Sequence, residues 1–341
     1  MSFQNCTIRG RDCDATKYHE AANATPRGDK GHIVTSGMLR EGGHCWARWL
    51  AGYQPPDSDA KDFGSLFDLL ATSPKLFGQK YAVRPETYKA TEKGVAGAGE
   101  DKEWNNNATV CKEWNKQREA EGRKPIKKAE FTEVETAVKR LHQDPVLKSF
   151  VDQSQMQTWL QGEWKDDATG LIVPVQCLVD LAPKVNSEFV QCLGDVKTTR
   201  SAAPHVWSKY SSQRAYHIQA GFYLDIWNQA TGEERDTWCF ILSENFPPYQ
   251  TGKVILSQQK LEYGRILYQA YLAQYCKCLA TGEWPDYQRG KDYKGPDVID
   301  GWSVDMATKW DELDAARAME GAAPTEDVPE EDPEFTSMTP S

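Results

Sequence analysis

An α/β fold, with a β-sheet flanked by helices, is the architecture this sequence predicts, and three observations predict it. Three strand-like runs follow one another at 158–164, 171–181 and 189–198. Apolar stripes at helical spacing precede and follow them, and two further short strand-like runs lie between the last two helices.

Taken in chain order, residues 1 to about 30 are polar and rich in Asn, Asp, Thr and Gly, which predicts a loosely ordered arm with order beginning near Thr35. The stretch 44–50 has helical character and ends at Gly52. A second helix is expected over 60–71, where Phe63, Leu66, Phe67 and Leu70 form a stripe that Thr72-Ser73-Pro74 stops. Residues 91–128 read as a polar, mobile insertion carrying one short helix at about 111–121. Thr132-x-x-Glu135 is a capping-box pattern, and Val134, Val138, Leu141, Val146 and Phe150 continue a core-facing stripe with a kink at Pro145. After the three strands comes one long helix over 206–227 that ends near Gly232. Strands at 237–242 and 253–256 flank a loop with Pro247-Pro248, and a final helix spans 258–280. The resulting organisation is an arm (1–30), a body (31–296) and an acidic, largely disordered tail (297–341).

The chain has 341 residues and 39% hydrophobic content, enough for a large core. No run has the length of a membrane span, the first residues lack the basic-then-apolar order of a signal peptide, and nine scattered cysteines suit reduced thiols. Together these point to a cytoplasmic protein without a membrane partner. Cys276 and Cys278 lack zinc spacing and read as helix packing. The net charge of −10 is misleading until it is located, because thirteen acids against Lys309 and Arg317 put −11 beyond residue 296 and leave the body at +1. A body so balanced can meet phosphate through local patches without global attraction, although the run Arg118, Arg123, Lys124, Lys127 and Lys128 is more simply a solvated linker.

The chemistry concentrates in Gly194-Asp195-Val196-Lys197-Thr198-Thr199, with Asp180 fifteen positions before Asp195. In a strand, Asp195 and Lys197 share a face while Val196 takes the other. A turn through 183–188 brings Asp180 opposite Asp195 to within about two residues of register, where facing Cβ atoms stand about 5 Å apart. Two carboxylates that close repel unless a cation lies between them, and a hard ion such as Mg²⁺ takes oxygen ligands. Lys197 is then placed to orient water or a developing anion.

Five landmarks in this order, Phe63-Gly64-Ser65-Leu66-Phe67-Asp68, Cys177-Leu178-Val179-Asp180, Gly194-Asp195-Val196-Lys197, Tyr216-His217-Ile218-Gln219-Ala220-Gly221-Phe222-Tyr223 and Gly282-Glu283-Trp284-Pro285, resemble the PD-(D/E)xK nuclease superfamily. More narrowly, they are similar to the phage and prophage exonucleases related to exodeoxyribonuclease VIII, the RecE type. The resemblance covers about residues 35–290 and implies a restriction-endonuclease-like core with a central mixed sheet. It also implies Mg²⁺, with Mn²⁺ able to substitute, held by Asp180, Asp195 and the Val196 carbonyl. Gln219 and Tyr223, four apart on one helix face shared with Tyr216, would border the catalytic centre. Two departures stand out: Val179 replaces the usual Pro, and Asp68 replaces a His, itself an oxygen ligand suited to the same metals. His217 reads as a structural hydrogen-bonding residue, Glu163 as an outer carboxylate beside the site or simply an exposed acid, and His44 and Trp46 as packing residues near the first helix that could instead touch DNA.

The implied activity is a divalent-metal-dependent exonuclease digesting linear double-stranded DNA ends from 5′ to 3′. It would leave a 3′ strand for a single-strand annealing partner and work as a ring-shaped homo-oligomer. An endonuclease of the same fold, or an inactive DNA-binding or assembly protein, are the other readings. The acidic tail needs no role beyond solubility, though it could recruit a basic partner or repel non-specific DNA.

Overall fold

The computed structural model describes residues 1–53, 59–89 and 99–287. The expected acidic tail, and residues 91–98 of the expected insertion, lie outside the described residues. The elements run β1 (Ser2–Gly10), α1 (Ala15–Asn23), α2 (Ser36–His44), α3 (Trp46–Leu50), α4 (Asp59–Thr72), a 3₁₀ turn (Pro74–Leu76), α5 (Phe77–Lys80), β2 (Tyr81–Val83), β3 (Thr87–Lys89), β4 (Asp101–Glu103), α6 (Thr109–Ala120) and β5 (Lys124–Ile126). They continue with α7 (Lys128–Gln143), α8 (Pro145–Asp152), β6 (Ser154–Lys165), β7 (Ile172–Pro183), β8 (Cys192–Thr199), α9 (Pro204–Gln213), α10 (Tyr216–Thr231), β9 (Thr237–Glu244), β10 (Thr251–Ile255) and α11 (Gln258–Thr281).

Six strands form one sheet in the order β1-β6-β7-β8-β9-β10. All neighbours are antiparallel except β8 and β9, so the sheet is mixed, as expected. A parallel pair needs a long crossover, and α9 and α10 supply it. Side-chain alternation gives the sheet two apolar faces. On β9, Trp238, Phe240 and Leu242 enter a core shared with Met38, Trp46, Trp207, Phe222 and Leu272, whereas Cys239 and Ile241 enter a second core with Phe67, Val138 and Phe150. The sheet is therefore covered by α2, α3, α9, α10 and α11 on one side and by α4, α7 and α8 on the other. No described helix is long and apolar enough to cross a membrane, and all nine cysteines are free. Cys276 and Cys278 are buried in the first core, as their packing role requires.

Four expectations need correction. The first residues are not a loose arm: β1 pairs antiparallel with β6, and Phe3 meets Trp164, Phe222 and Tyr268 with ring centroids 5.0 to 5.6 Å apart. Polar composition hid it because an edge strand, shifted in register between Gln4 and Thr7, buries little else. The helix assigned to Thr132 starts one turn earlier, where Glu130 accepts the Lys127 backbone N–H, and Thr132 lies inside it, donating to the Lys128 carbonyl. At Asp144 the helix ends rather than kinks, since Asp144 Oδ1 accepts the N–H groups of Val146 and Leu147 and caps a new helix with Pro145 in its first turn. The long helix expected over 206–227 is two, broken at Ala215, whose φ of 51° is left-handed.

Helices α10 and α11 cross at close range. A methyl group built on Gly264 would stand 2.0 Å from the His217 carbonyl oxygen. Gly264→Ala therefore has to push the helices apart, and the overpacking cost of about 1–3 kcal/mol exceeds the roughly 1 kcal/mol that Ala contributes by helix propensity. Urea denaturation should show a lower midpoint for Gly264→Ala than for the parent chain.

Candidate active site

Strand β8 runs between the two helix layers, with Leu193 on the α10 side and Val196 on the α4 side. Asp195 and Lys197 thus face α10, and the Lys197 ammonium forms an ion pair with Asp195 Oδ2. The second oxygen of Asp195, which is only 2% exposed, accepts a 2.7 Å bond from Gln219 Nε2 on α10. Burial alone would lower the Lys197 pKa, but the Asp195 and Asp180 carboxylates outweigh it and hold the ammonium protonated.

Strands β7 and β8 pair in register only at Leu181 and Gly194, which puts Asp180 next in line opposite Asp195. The Asp180 carboxylate reaches between the strands: Oδ2 accepts the Val196 N–H at 3.1 Å and Oδ1 accepts Gln157 Nε2 at 3.4 Å. Burial, then repulsion from Asp68 and Asp195, raises its pKa well above the ordinary carboxylate range. Asp68 arrives from the other helix layer on α4, which approaches β8 so closely that a Cβ on Gly64 would lie 2.9 Å from Thr198 Oγ1. Burial, countered by Lys197 and reinforced by Asp195, pushes the Asp68 carboxyl up to about 6. Its Oδ1 is buried without a hydrogen-bond partner.

Three carboxylates from α4, β7 and β8 therefore influence one another around a single ammonium in a desolvated place. If all ionise, negative charge is in excess. Their donor type and charge are those of a site that could hold a hard divalent cation. Among the described residues, however, no group of three or more His, Cys, Asp or Glu side chains stands at ligand spacing. The oxygens of Asp195 meet Gln219 and Lys197, and those of Asp180 meet the Val196 N–H and Gln157.

Tyr223 lies one turn beyond Gln219, buried, with its hydroxyl accepting from Ser36 Oγ at 3.5 Å. Burial, then Cys177 and more weakly Asp195 and Asp180, pushes its pKa up to about 12. Tyr216, on the same helix, has Lys197 Nζ 5.4 Å and the Arg40 guanidinium 5.2 Å from its ring centre. The other candidates lie elsewhere. Glu163 is occupied by Gln4 and Asn5 of β1, six residues or about 20 Å along β6 from Gln157. His217 stacks on Tyr263, and Trp46 donates to Gln274 within an aromatic cluster that includes Tyr275, so both serve packing. His44, expected to pack, is instead exposed at the end of α2. Sequence reasoning missed Arg40, because α2 itself went unread, and Gln157, because a Gln inside a strand carries no signal of its own.

Residues 41–294 match the profile of a family described as a PDDEXK-like domain of unknown function (DUF3799). A solved structure with a similar fold is a "Putative exonuclease" from Eubacterium rectale: TM-score 0.51, 14% identity, 88% of this chain and 98% of that one covered. At that identity the likeness speaks for the fold. No curated protein matches the sequence.

Repulsion among these buried acids has a measurable consequence. Without divalent cations at pH 8, Asp68→Asn should raise the thermal midpoint, by an amount equivalent to roughly 0.5–2 kcal/mol, because it removes one member of a repelling set. A midpoint at or below that of the parent chain would mean that the acids do not oppose folding.

Proposed function

We propose, taking as premise that this chain belongs to the PDDEXK-like family DUF3799, that it is a divalent-metal-dependent nuclease acting on DNA. The observation that carries the reading is the convergence of Asp68, Asp180 and Asp195 on Lys197 from three different elements. Burial and neighbouring acids raise the pKa of Asp68 and Asp180, and buried acids of this kind destabilise a fold and are retained where they serve a site. Asp180, Asp195 and Asp68, with the Val196 carbonyl, are the groups that would hold Mg²⁺ or Mn²⁺. Such an ion supplies Lewis-acid polarisation of the scissile phosphate and a water of lowered pKa.

The protein's own groups supply the rest. Lys197, kept cationic by its acidic neighbours, would orient the attacking water and balance charge developing on the phosphoryl oxygens. Gln219 fixes the rotamer of Asp195 by its hydrogen bond. Tyr223, farther back on the same helix, would act through the packing that aims Gln219. Arg40 and Lys197, both beside the Tyr216 ring, offer two cations to the backbone of a bound strand.

The narrower reading is exonucleolytic digestion of linear duplex ends, 5′ to 3′, leaving 3′ strands for a single-strand annealing partner, by a ring-shaped homo-oligomer. What supports it is the order of landmarks shared with RecE-type enzymes. The nearly neutral body adds to this, since enclosure would retain DNA where global charge does not.

Linear duplex labelled at either end, incubated with Mg²⁺ or Mn²⁺, should lose label progressively from one end, and EDTA should stop it. Asp180→Asn or Asp195→Asn should lower the rate about a hundredfold or more. Closed circular DNA should survive; its cleavage would replace the exonuclease with an endonuclease. Tight binding of ends with no cleavage in either metal would instead make this a DNA-binding protein.

A further inference from the structure

We propose that Gln157 is a positioning residue: it ties the helix bearing Asp68 to the strand bearing Asp180 and holds the Asp180 carboxylate ready for a divalent cation. The proposal rests on the nuclease reading above and deepens it.

Gln157 lies in the first third of β6, between the pairs Met156 with Leu181 and Thr158 with Val179, and hence opposite Asp180. Its φ is 42°, in the left-handed region, which a Gln inside a strand adopts only when its surroundings impose it. The main-chain carbonyl is occupied outside the sheet, accepting the Cys13 N–H at 3.0 Å. The side chain is 3% exposed. Its Nε2 is shared, donating to Thr72 Oγ1 at 3.1 Å and to Asp180 Oδ1 at 3.4 Å. Thr72 in turn donates its hydroxyl to the Asp68 carbonyl at 2.8 Å, one turn back on α4. One amide group thus reaches the carboxylate of one acid and, through a single hydroxyl, the backbone of the other.

The plainer alternative is a core glutamine that is merely satisfied. Gln176 on β7 shows what that looks like: Oε1 accepts from Trp159 and Gln161, and Nε2 donates to the Tyr18 carbonyl. Gln157 is different, because its Oε1 is buried and has no hydrogen-bond partner. A strained backbone and an unpaired acceptor together are features that packing alone would remove.

The test uses the full chain with Mn²⁺ as the probe. Gln157→Asn keeps an amide and suits the left-handed backbone, but is one methylene short of spanning Thr72 and Asp180. Thr72→Val removes the hydroxyl from the other end of the link. Titration calorimetry should show Mn²⁺ bound about 10–100-fold more weakly by each variant, as for loss of a group that orients a metal ligand. Thermal midpoints in EDTA should show Gln157→Asn no less stable than the parent, since backbone strain is relieved. Unchanged Mn²⁺ affinity in both variants, with a lowered midpoint, would make Gln157 purely structural and overturn the proposal. Failure of Gln157→Asn to fold would leave Thr72→Val to decide by the same affinity. If the parent chain itself binds no Mn²⁺ and cleaves nothing, the nuclease reading falls, and this inference falls with it.

Discussion

The crowding of buried acids around one ammonium is the constraint around which the rest of the molecule is arranged. Asp68, Asp180 and Asp195 face one ammonium, in surroundings dry enough that burial is the leading influence on the titration of Asp68, Asp180 and Lys197. Desolvating a carboxylate is costly, and setting three beside one another adds repulsion. A sheet with helices on both faces can hold such a cluster because each acid comes from a separately anchored element. Asp180 and Asp195 are fixed by the central strands and Asp68 by a helix packed through Phe67 and Leu66 into the second core. No single element can move to relieve the repulsion without unpacking its own apolar neighbours.

The same architecture explains why the site sits where β7 and β8 stop pairing. After the Leu181–Gly194 pair, the Val196 N–H is taken not by β7 but by the Asp180 carboxylate. Gly194 supports this join, since a Cβ there would lie 2.6 Å from Phe150 Cε1. On the other side of β8 the ladder with β9 runs unbroken from Cys192–Thr237 to Thr199–Glu244. Continuous pairing on one edge of β8 and a single register pair on the other leave the Asp180 carboxylate to complete the join between the strands.

Much of this was legible from the residues alone. Alternation along a strand placed Asp195 and Lys197 together, the turn after β7 brought Asp180 opposite, and helical spacing put Gln219 and Tyr223 on one face. The strands of the main sheet from β6 onward fall within a few residues of their expected bounds. What escaped was whatever lacks a periodic or punctuating signal. Edge strand β1 buries one large ring and otherwise looks like a polar arm. The break at Ala215 has neither Gly nor Pro to announce it. The small β2–β5 and β3–β4 pairs are too short for alternation to register. Arg40 and Gln157 reach the site through tertiary contacts, which spacing along the chain does not encode.

Departures from local preference are themselves informative here. Five non-glycine residues among those described have left-handed φ: Asn5, Asp12, Gln157, Ala215 and Tyr249. Asn and Asp tolerate that region, but Gln, Ala and Tyr do not do so readily. Gln157 bonds Asp180, Ala215 turns the chain into the helix bearing Gln219, and Tyr249 stacks on Phe63 of the helix bearing Asp68, with ring centroids 6.3 Å apart. Each of the three less tolerant residues therefore adjoins an element that delivers a member of the acidic centre. By contrast, seven described glycines, among them Gly170, Gly232 and Gly282, adopt the same region without a Cβ to hinder them. A fold selected for stability alone would have favoured glycine or asparagine at Gln157, Ala215 and Tyr249 as well. The distribution follows from a centre whose geometry is imposed by tertiary packing against local preference, as expected where position matters more than stability.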